Sequence, residues 1–573
     1  MLGVIALTLL LTTAQLGVTF PPLDQSSSIQ VTGPPAPGLQ AFDAFMTSLM
    51  AQWGVPGGAL AVVKNGRLVL AHGYGMADVA ANQPVQPDSL FRIASVSKPI
   101  TAAAIYLLVQ QGKLGLNDKA FSILSDLQPP AGAKEDPRVQ DVTVQELLWH
   151  AGGWNRDTAF DPMFQPTTWN AADATGTPRP ASCGVVIRYM LGQPLQFTPG
   201  TYYDYSNFGY CVLGRIIEKI SGESYEQFVQ QNALAQFGIT DMKLGHTQLS
   251  QRAQGEVKYY DPVDGNTTSV FPGAGSVPWP YGGFYIEAMD SHGAWIASPI
   301  DLMRFVVGLD GQGSTRLLNA TTTQTMLSRP TIPYWTGSPY YYAGGWDVRP
   351  AGPDANWWHT GLLPGTNTEV VRDNQGVGVD FAVFFNGSVA NETGFQSQVD
   401  SGLQNVVGSV TQWPSQNLFG LYGPTTSTTS TTTSTSTTTS SSTTSTTTSS
   451  TSTATTLSTT SPTTSTASST ATTLNKTINS STASASATVA STISNQGSPS
   501  SSNSSVTINT TLGLGGPVMI VAAAVLVVII LAVAALVVSR AKSRRSAAEA
   551  PSAKQTTGSG TRVTELCHGK NCE

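Results

Sequence analysis

Apolar and polar positions along the chain predict a layered α/β domain followed by a region of another kind. Leu39 to Gln52 sets Phe42, Phe45, Met46, Leu49 and Met50 at helical spacing. Two apolar runs follow, Ala59 to Val63 and Leu68 to Ala71, joined by Asn65-Gly66, and Asn-Gly between such runs signals a β-hairpin. From Ile100 to Val109 the chain is apolar on nearly every side, which predicts a helix buried inside a domain, with Pro99 in its first turn and Gly112 past its end. Far along the chain, Thr368 to Arg372 and Val377 to Phe385 read as strands around a turn at Asp373 to Gly376. Phe395, Val399, Leu403 and Val407 then recur every four residues and mark a closing helix. Between these ends lie shorter helical patterns at Val144 to His150, Val212 to Ser221 and Leu302 to Leu309, separated by long loops rich in aromatics and Pro. The predicted fold class is α/β (α+β): one antiparallel sheet built from both ends of the domain, flanked by helices, with a mostly helical lobe inserted.

The pattern changes after about Gly423. Residues 424–512 are Ser and Thr with little else, too poor in apolar groups to offset chain entropy, which predicts a disordered, mucin-like stalk. Residues 517–538 are apolar throughout and, at ~1.5 Å per residue, long enough to cross a ~30 Å hydrocarbon core as a transmembrane helix. Arg540, Lys542, Arg544 and Arg545 follow at once and place the tail, 539–573, in the cytoplasm by the positive-inside rule. The polar tail argues against a lipid anchor. Residues 1–19, with an apolar core from Leu2 to Leu11 and small residues near Ala14, read as a signal peptide; an uncleaved anchor is the alternative, since no Lys or Arg precedes the core. The expected product is a single-pass type I cell-surface protein whose globular domain, residues 38–415, faces outward.

Composition refines this picture. Formal net charge is only −6 and the domain has no basic patch, so nucleic acid is not an expected partner. Cys183 and Cys211 fall outside the membrane, where a disulfide persists, and are candidates for one; Cys567 and Cys572 fall in the reducing tail. N-glycosylation sequons begin at Asn266, Asn319, Asn386 and Asn391 in the domain and continue into the stalk.

Candidate chemistry begins at Ser95 and Lys98, which stand at the mouth of the buried helix. Three residues apart, they share a face, so the amine can reach the hydroxyl while the helix N-terminus favours developing negative charge. That is the geometry of an S-x-x-K acyl-transfer nucleophile. Alone it is weak: Ser539 to Lys542 repeats the spacing beside the apolar span, and a Ser at a helix start is more often an N-cap. Two further triplets change the weight. Tyr205-Ser206-Asn207 follows Phe197-Thr198-Pro199-Gly200, and His359-Thr360-Gly361 follows Trp357-Trp358.

In order, spacing and context these motifs resemble the three-part signature of the serine β-lactamase-like and penicillin-binding superfamily, class C branch: S-x-x-K, Y-x-N, and K-T-G or H-T-G. The flanking stretches Pro87 to Lys98, Pro199 to Ile217 and His359 to Gly365 are similar too, and the resemblance runs from about Gly38 to Val410. It implies a membrane-anchored extracellular serine hydrolase of esterase, D-amino-acid peptidase or β-lactamase type, acting on a small-molecule or peptide acyl substrate. Ser95 would be acylated, with Lys98 and Tyr205 sharing the base role; sequence does not choose between them. Asn207 would bind substrate or orient Lys98, and the N–H groups of Ser95 and Leu362 would form the oxyanion hole. His359, Thr360 and Gly361 would line the substrate. His359 stands where many β-lactamases carry Lys, a departure that fits peptidase and esterase members better than enzymes of carboxylate-bearing β-lactams.

Other chemistries are absent from the sequence. No G-x-S-x-G or H-E-x-x-H occurs, and His72, His150, His246, His292 and His359 lack metal spacing, so no metal or cofactor is implied. His150 and Trp149 read as structural. Trp295, Trp335 and Tyr340 to Tyr342 either line a cleft or pin loops. The rival reading is a catalytically silent fold displayed on a stalk as a binding or adhesion module. Fold does not select the substrate.

Overall fold

The computed structural model describes residues 29–352, 354–373 and 378–423. The predicted signal, stalk, apolar span and tail, and the turn residues Asn374 to Gly376, lie outside the described residues. Among the described residues no helix is long and apolar enough to cross a membrane.

The sheet is joined from the two ends of the domain, as the hydrophobic pattern predicts. Its strands run in the order Val31–Thr32, Arg67–Asp78, Gly57–Lys64, Val379–Phe385, Thr366–Asp373, Asp354–Leu363, Trp346–Ala351, Tyr341–Ala343, and every pairing along it is antiparallel. Asn65 and Gly66 take positive φ of 50° and 72°, the pair a type I′ hairpin turn requires. Gly58 stands opposite Phe385 and Lys64 opposite Val379, and this register fastens the N-terminal hairpin to the C-terminal strands.

Both faces of the sheet are covered, so its central strands are apolar almost continuously rather than alternating with polar residues. Leu60, Val62, Phe381, Val383 and Phe385 face an outer layer made by the helices Gln40–Trp53 and Glu392–Ser409. Phe395, Val399, Leu403 and Val407 are the buried stripe of the closing helix, and Phe395 stacks edge-on against Phe385 and Trp53 at 5.0 and 5.5 Å. Ala59, Ala61, Val63, Ala382 and Phe384 face inward, where the helix Pro299–Asp310 packs on their strands, into a core shared with the helix Ser97–Gln110, whose residues from Ser97 to Leu108 are all buried.

The helical lobe packs beyond that helix. A Thr143–Glu146 capping box starts the short helix Val144–Leu148. The helix read from Val212 to Ser221 begins earlier, at Asn207, because the Ser206 hydroxyl accepts the Gly209 N–H at 3.0 Å and caps it. Cys183 and Cys211, Cα atoms 6.0 Å apart, form a disulfide between the helices Cys183–Leu191 and Asn207–Ser221.

One expectation is corrected. Asn266, Asn319 and Asn391 are exposed, whereas Asn386 is fully buried and its amide donates to the carbonyls of Met76 and Lys258 at 3.0 and 2.9 Å. A glycan there is incompatible with this packing; a sequon carries no information about burial.

Candidate active site

Ser95 sits in a single 3-10 turn, Ala94–Val96, that runs into the buried helix at Ser97. It is not an N-cap, since no side chain caps that helix. Ala94 holds a φ of +48°, a conformation disfavoured for a residue with a Cβ and kept only where surroundings over-determine it.

Three elements converge on Ser95. The first is its own helix, from which the wholly buried Lys98 donates to Ser95 Oγ at 3.1 Å, Asn207 Oδ1 at 2.7 Å and the His292 carbonyl at 3.0 Å. Burial pushes the Lys98 ammonium well below its ordinary range; Asp161 opposes that shift and Arg156 adds to it.

The second element is the segment entering the Asn207 helix. Tyr205 lies beside Ser95, whose hydroxyl lowers the phenol's pKa, while burial, the larger effect, pushes it up. Lys98 Nζ lies 4.6 Å from the centre of the Tyr205 ring. Asn207 Nδ2 donates to Asp161 Oδ2 at 2.7 Å, which turns the amide so that its oxygen meets Lys98. His150, at φ +56°, accepts the Ser206 N–H on Nδ1 at 3.0 Å, and its ring centre lies 4.4 Å from those of Tyr205 and Tyr342. Burial first, then Lys98, hold His150 well below its usual pKa, so it is a neutral buttress beneath Tyr205.

The third element is the strand Asp354–Leu363. A Cβ on Gly361 would lie 2.4 Å from the Ile93 carbonyl oxygen and 2.3 Å from Thr368 Oγ1. Only glycine lets this strand approach the nucleophile turn so closely. Thr368 Oγ1 seals the junction by donating to the Ile93 carbonyl at 3.0 Å. His359 is buried, with its Nδ1–H donating to the Thr360 carbonyl at 2.6 Å and Nε2 accepting from the Tyr342 hydroxyl at 3.2 Å. Burial, with Lys98 nearby, lowers its pKa to about 3, leaving it neutral at neutral pH. Thr360 is partly buried and Leu362 exposed.

The structure thus brings Ser95, Lys98, Tyr205, Asn207 and the His359 to Leu362 strand together. Sequence reasoning missed Asp161, which lies in an aperiodic loop with nothing to mark it. It also missed Arg156, whose guanidinium stands 4.8 Å from the Tyr205 ring centre, and the supporting role of His150. Of the aromatic candidates, Tyr342 and Trp335 join a cluster with Tyr203 at the cleft. Trp295 is buried elsewhere and donates to the Tyr225 hydroxyl at 2.9 Å. A cavity of about 250 Å³ opens on the helical-lobe side, lined by Trp154, Arg156, Asp161, Met190, Ser206 and Asn207. Among the described residues no group of three or more His, Cys, Asp or Glu side chains is placed to hold a metal ion.

A Ser-x-x-Lys turn, a Tyr-x-Asn segment and a His-Thr-Gly strand meeting on an antiparallel sheet between two helical layers define the β-lactamase-like fold. The profile of the family described as Beta-lactamase matches residues 42–397, and the chain belongs to that family. Among curated relatives, it is 28% identical over 223 residues to Protein flp of Staphylococcus aureus (strain MW2), 38% of this chain and 42% of that protein. It is 26% identical over 301 residues to the putative fimbrial assembly protein FimD, serogroup D, of Dichelobacter nodosus, 51% of this chain and 66% of that protein. Both matches thus span less than two thirds of the relative's length. Among solved structures, the D-amino acid amidase of Ochrobactrum anthropi SV3 in complex with L-phenylalanine amide superposes with a TM-score of 0.48 at 24% identity, over 65% of this chain and 98% of that one.

Proposed function

We propose that the domain is a serine hydrolase that acts through an acyl-enzyme on Ser95, cleaving an ester, amide or D-amino-acid-containing bond. The observation that carries this reading is the hydrogen bond between Lys98 Nζ and Ser95 Oγ, made by an amine whose pKa is lowered by burial. A neutral amine is able to take the Ser95 proton as Oγ attacks the acyl carbon, whereas the Tyr205 phenol, with its pKa raised, stays protonated at neutral pH, so it is not the base and still holds a proton to relay. Lys98 is therefore assigned as the base and Tyr205 as the proton donor to the leaving group. The N–H groups of Ser95 and Leu362 are assigned to the oxyanion, each donor contributing about 3 kcal/mol. Water then releases the acyl group by the reverse proton path.

The neutral, buried His359 offers no charge to a substrate carboxylate, which supports the esterase or peptidase branch over enzymes of carboxylate-bearing β-lactams. The leader-like N-terminus, Ser/Thr tract, apolar stretch and following basic residues support an outward-facing domain tethered to a cell surface by one span. A fluorophosphonate probe tests the enzymatic reading: it labels the wild-type chain on Ser95 and leaves Ser95→Ala unlabelled. Failure of folded wild-type protein to react overturns it and leaves the binding-module alternative.

A further inference from the structure

One carboxylate in the cleft wall takes no part in the hydrogen bonds described above. Asp347 is the second residue of the strand Trp346–Ala351 and stands opposite Tyr342 in one ladder and Trp358 in the other. Tyr342 bonds to His359, and Trp358 immediately precedes it, so Asp347 lies beside the third motif. Its charge acts on the phenols of Tyr203 and Tyr205, the latter beside Ser95.

Among the described residues Asp347 makes no side-chain hydrogen bond or ion pair, and burial alone raises its pKa to about 7. The other acids at the cleft are all engaged. Asp161 accepts from Asn207, Asp204 accepts the Arg156 N–H at 3.2 Å, and Asp157 lies 4.0 Å from the Arg156 guanidinium. A partly buried carboxylate with no partner costs free energy that a cationic ligand recovers. Its surroundings suit such a ligand: Tyr203 packs with Trp335 at 4.7 Å and with Tyr342 at 6.1 Å, and aromatic faces attract ammonium groups. A single carboxylate without further acidic or imidazole ligands does not make a metal site.

We propose that Asp347 is a specificity-determining residue that receives a protonated primary amine on the acyl donor, so that the substrate class is aminoacyl esters or amides. The proposal rests on the Ser95 hydrolase reading. It also complements the neutral His359: the cleft wall presents an anion where a cation would be needed to attract carboxylates.

The test uses the full chain and three matched pairs of 4-nitroanilides that differ by ammonium against hydrogen: glycyl and acetyl, β-alanyl and propionyl, 6-aminohexanoyl and hexanoyl. The wild type is expected to favour the ammonium member of at least one pair by about tenfold or more in kcat/KM. Asp347→Asn is expected to collapse that ratio, Asp347→Glu to retain most of it, and Asp347→Lys to turn preference toward the succinyl anilide. A wild-type ratio near one in every pair, or a ratio untouched in Asp347→Asn, overturns the proposal while leaving Ser95 as nucleophile. A chain that cleaves no anilide and resists fluorophosphonate fails the Ser95 reading instead. In that case calorimetry with hexylamine and hexanol on Ser95→Ala decides: binding of the amine alone that is lost in Ser95→Ala with Asp347→Asn supports the site, and equal or absent binding overturns it.

Discussion

The two faces of the sheet are buried to similar depth and use that burial differently. The outer face is sealed by the first and last helices of the domain with Phe42, Met46, Leu49, Phe395, Val399 and Leu403, and its partly buried Asp43–His72–Tyr74 cluster is internally satisfied, with contacts of 2.7 and 2.8 Å. The inner face, where the sheet meets the nucleophile turn, holds Lys98 with a lowered pKa, two neutral histidines, an unpaired Asp347 and two non-glycine residues at positive φ. Burial on the outer side supplies stability. Next to Ser95 the same exclusion of water tunes proton affinity, at a local cost that the outer layer offsets.

Five substitutions break or sharpen this contrast. Ser95→Ala is the largest: kcat/KM for an activated ester is expected to fall by at least about 10³-fold, with the melting temperature little changed. Phe395→Ala is its mirror image on the outer face, expected to lose about 3–5 kcal/mol in a denaturant titration while folded protein keeps its kcat/KM. Gly361→Ala forces the strand away from Ile93 and is expected to cost about 1–3 kcal/mol of overpacking, read as about a 10- to 100-fold fall in kcat/KM.

Asp161→Asn keeps an oxygen to accept from Asn207 but removes the charge that supports the Lys98 ammonium. The pKa of Lys98 then falls further, and the acid limb of the kcat/KM profile moves to lower pH by up to about one unit. An unmoved limb would mean that Lys98 is not the base. Glu369→Gln probes the outer layer's own exception. Glu369 is buried against that layer with one oxygen unpartnered, and burial with Asp400 nearby holds its pKa well above the usual carboxylate value. A raised folded pKa means that the folded state keeps the proton longer, so this group's contribution to stability falls as pH rises above its unfolded value. Replacing it with the neutral amide is expected to raise the melting temperature by a few degrees at pH 8, on the order of 1 kcal/mol, and by less at pH 5.

The split between the faces was legible unevenly in the chain. Asn65-Gly66, the four-residue stripe from Phe395 to Val407 and the three catalytic triplets are local patterns, and each reappears as the turn, the buried helix face and the converging site. Asp161, Arg156 and Asp347 had no local mark, and His150 and Asn386 were read from local context as structural and as a sequon. The helix starts at Asn207, ahead of the stripe from Val212, because a polar capping Ser leaves no mark in an apolar pattern.

By itself the sequence determined the elements, the joining of the two chain ends in one sheet, and the residues with the chemistry to acylate, because helix period, strand alternation and motif spacing are short-range properties of the chain. Tertiary structure alone decided which groups lose their water and which charges stand beside them. It decided that Lys98 is uncoupled from solvent, that His359 is neutral, that Asn386 is sealed and that Asp347 is left without a partner. Those are sums over atoms brought together from distant segments, and no window along the chain contains them.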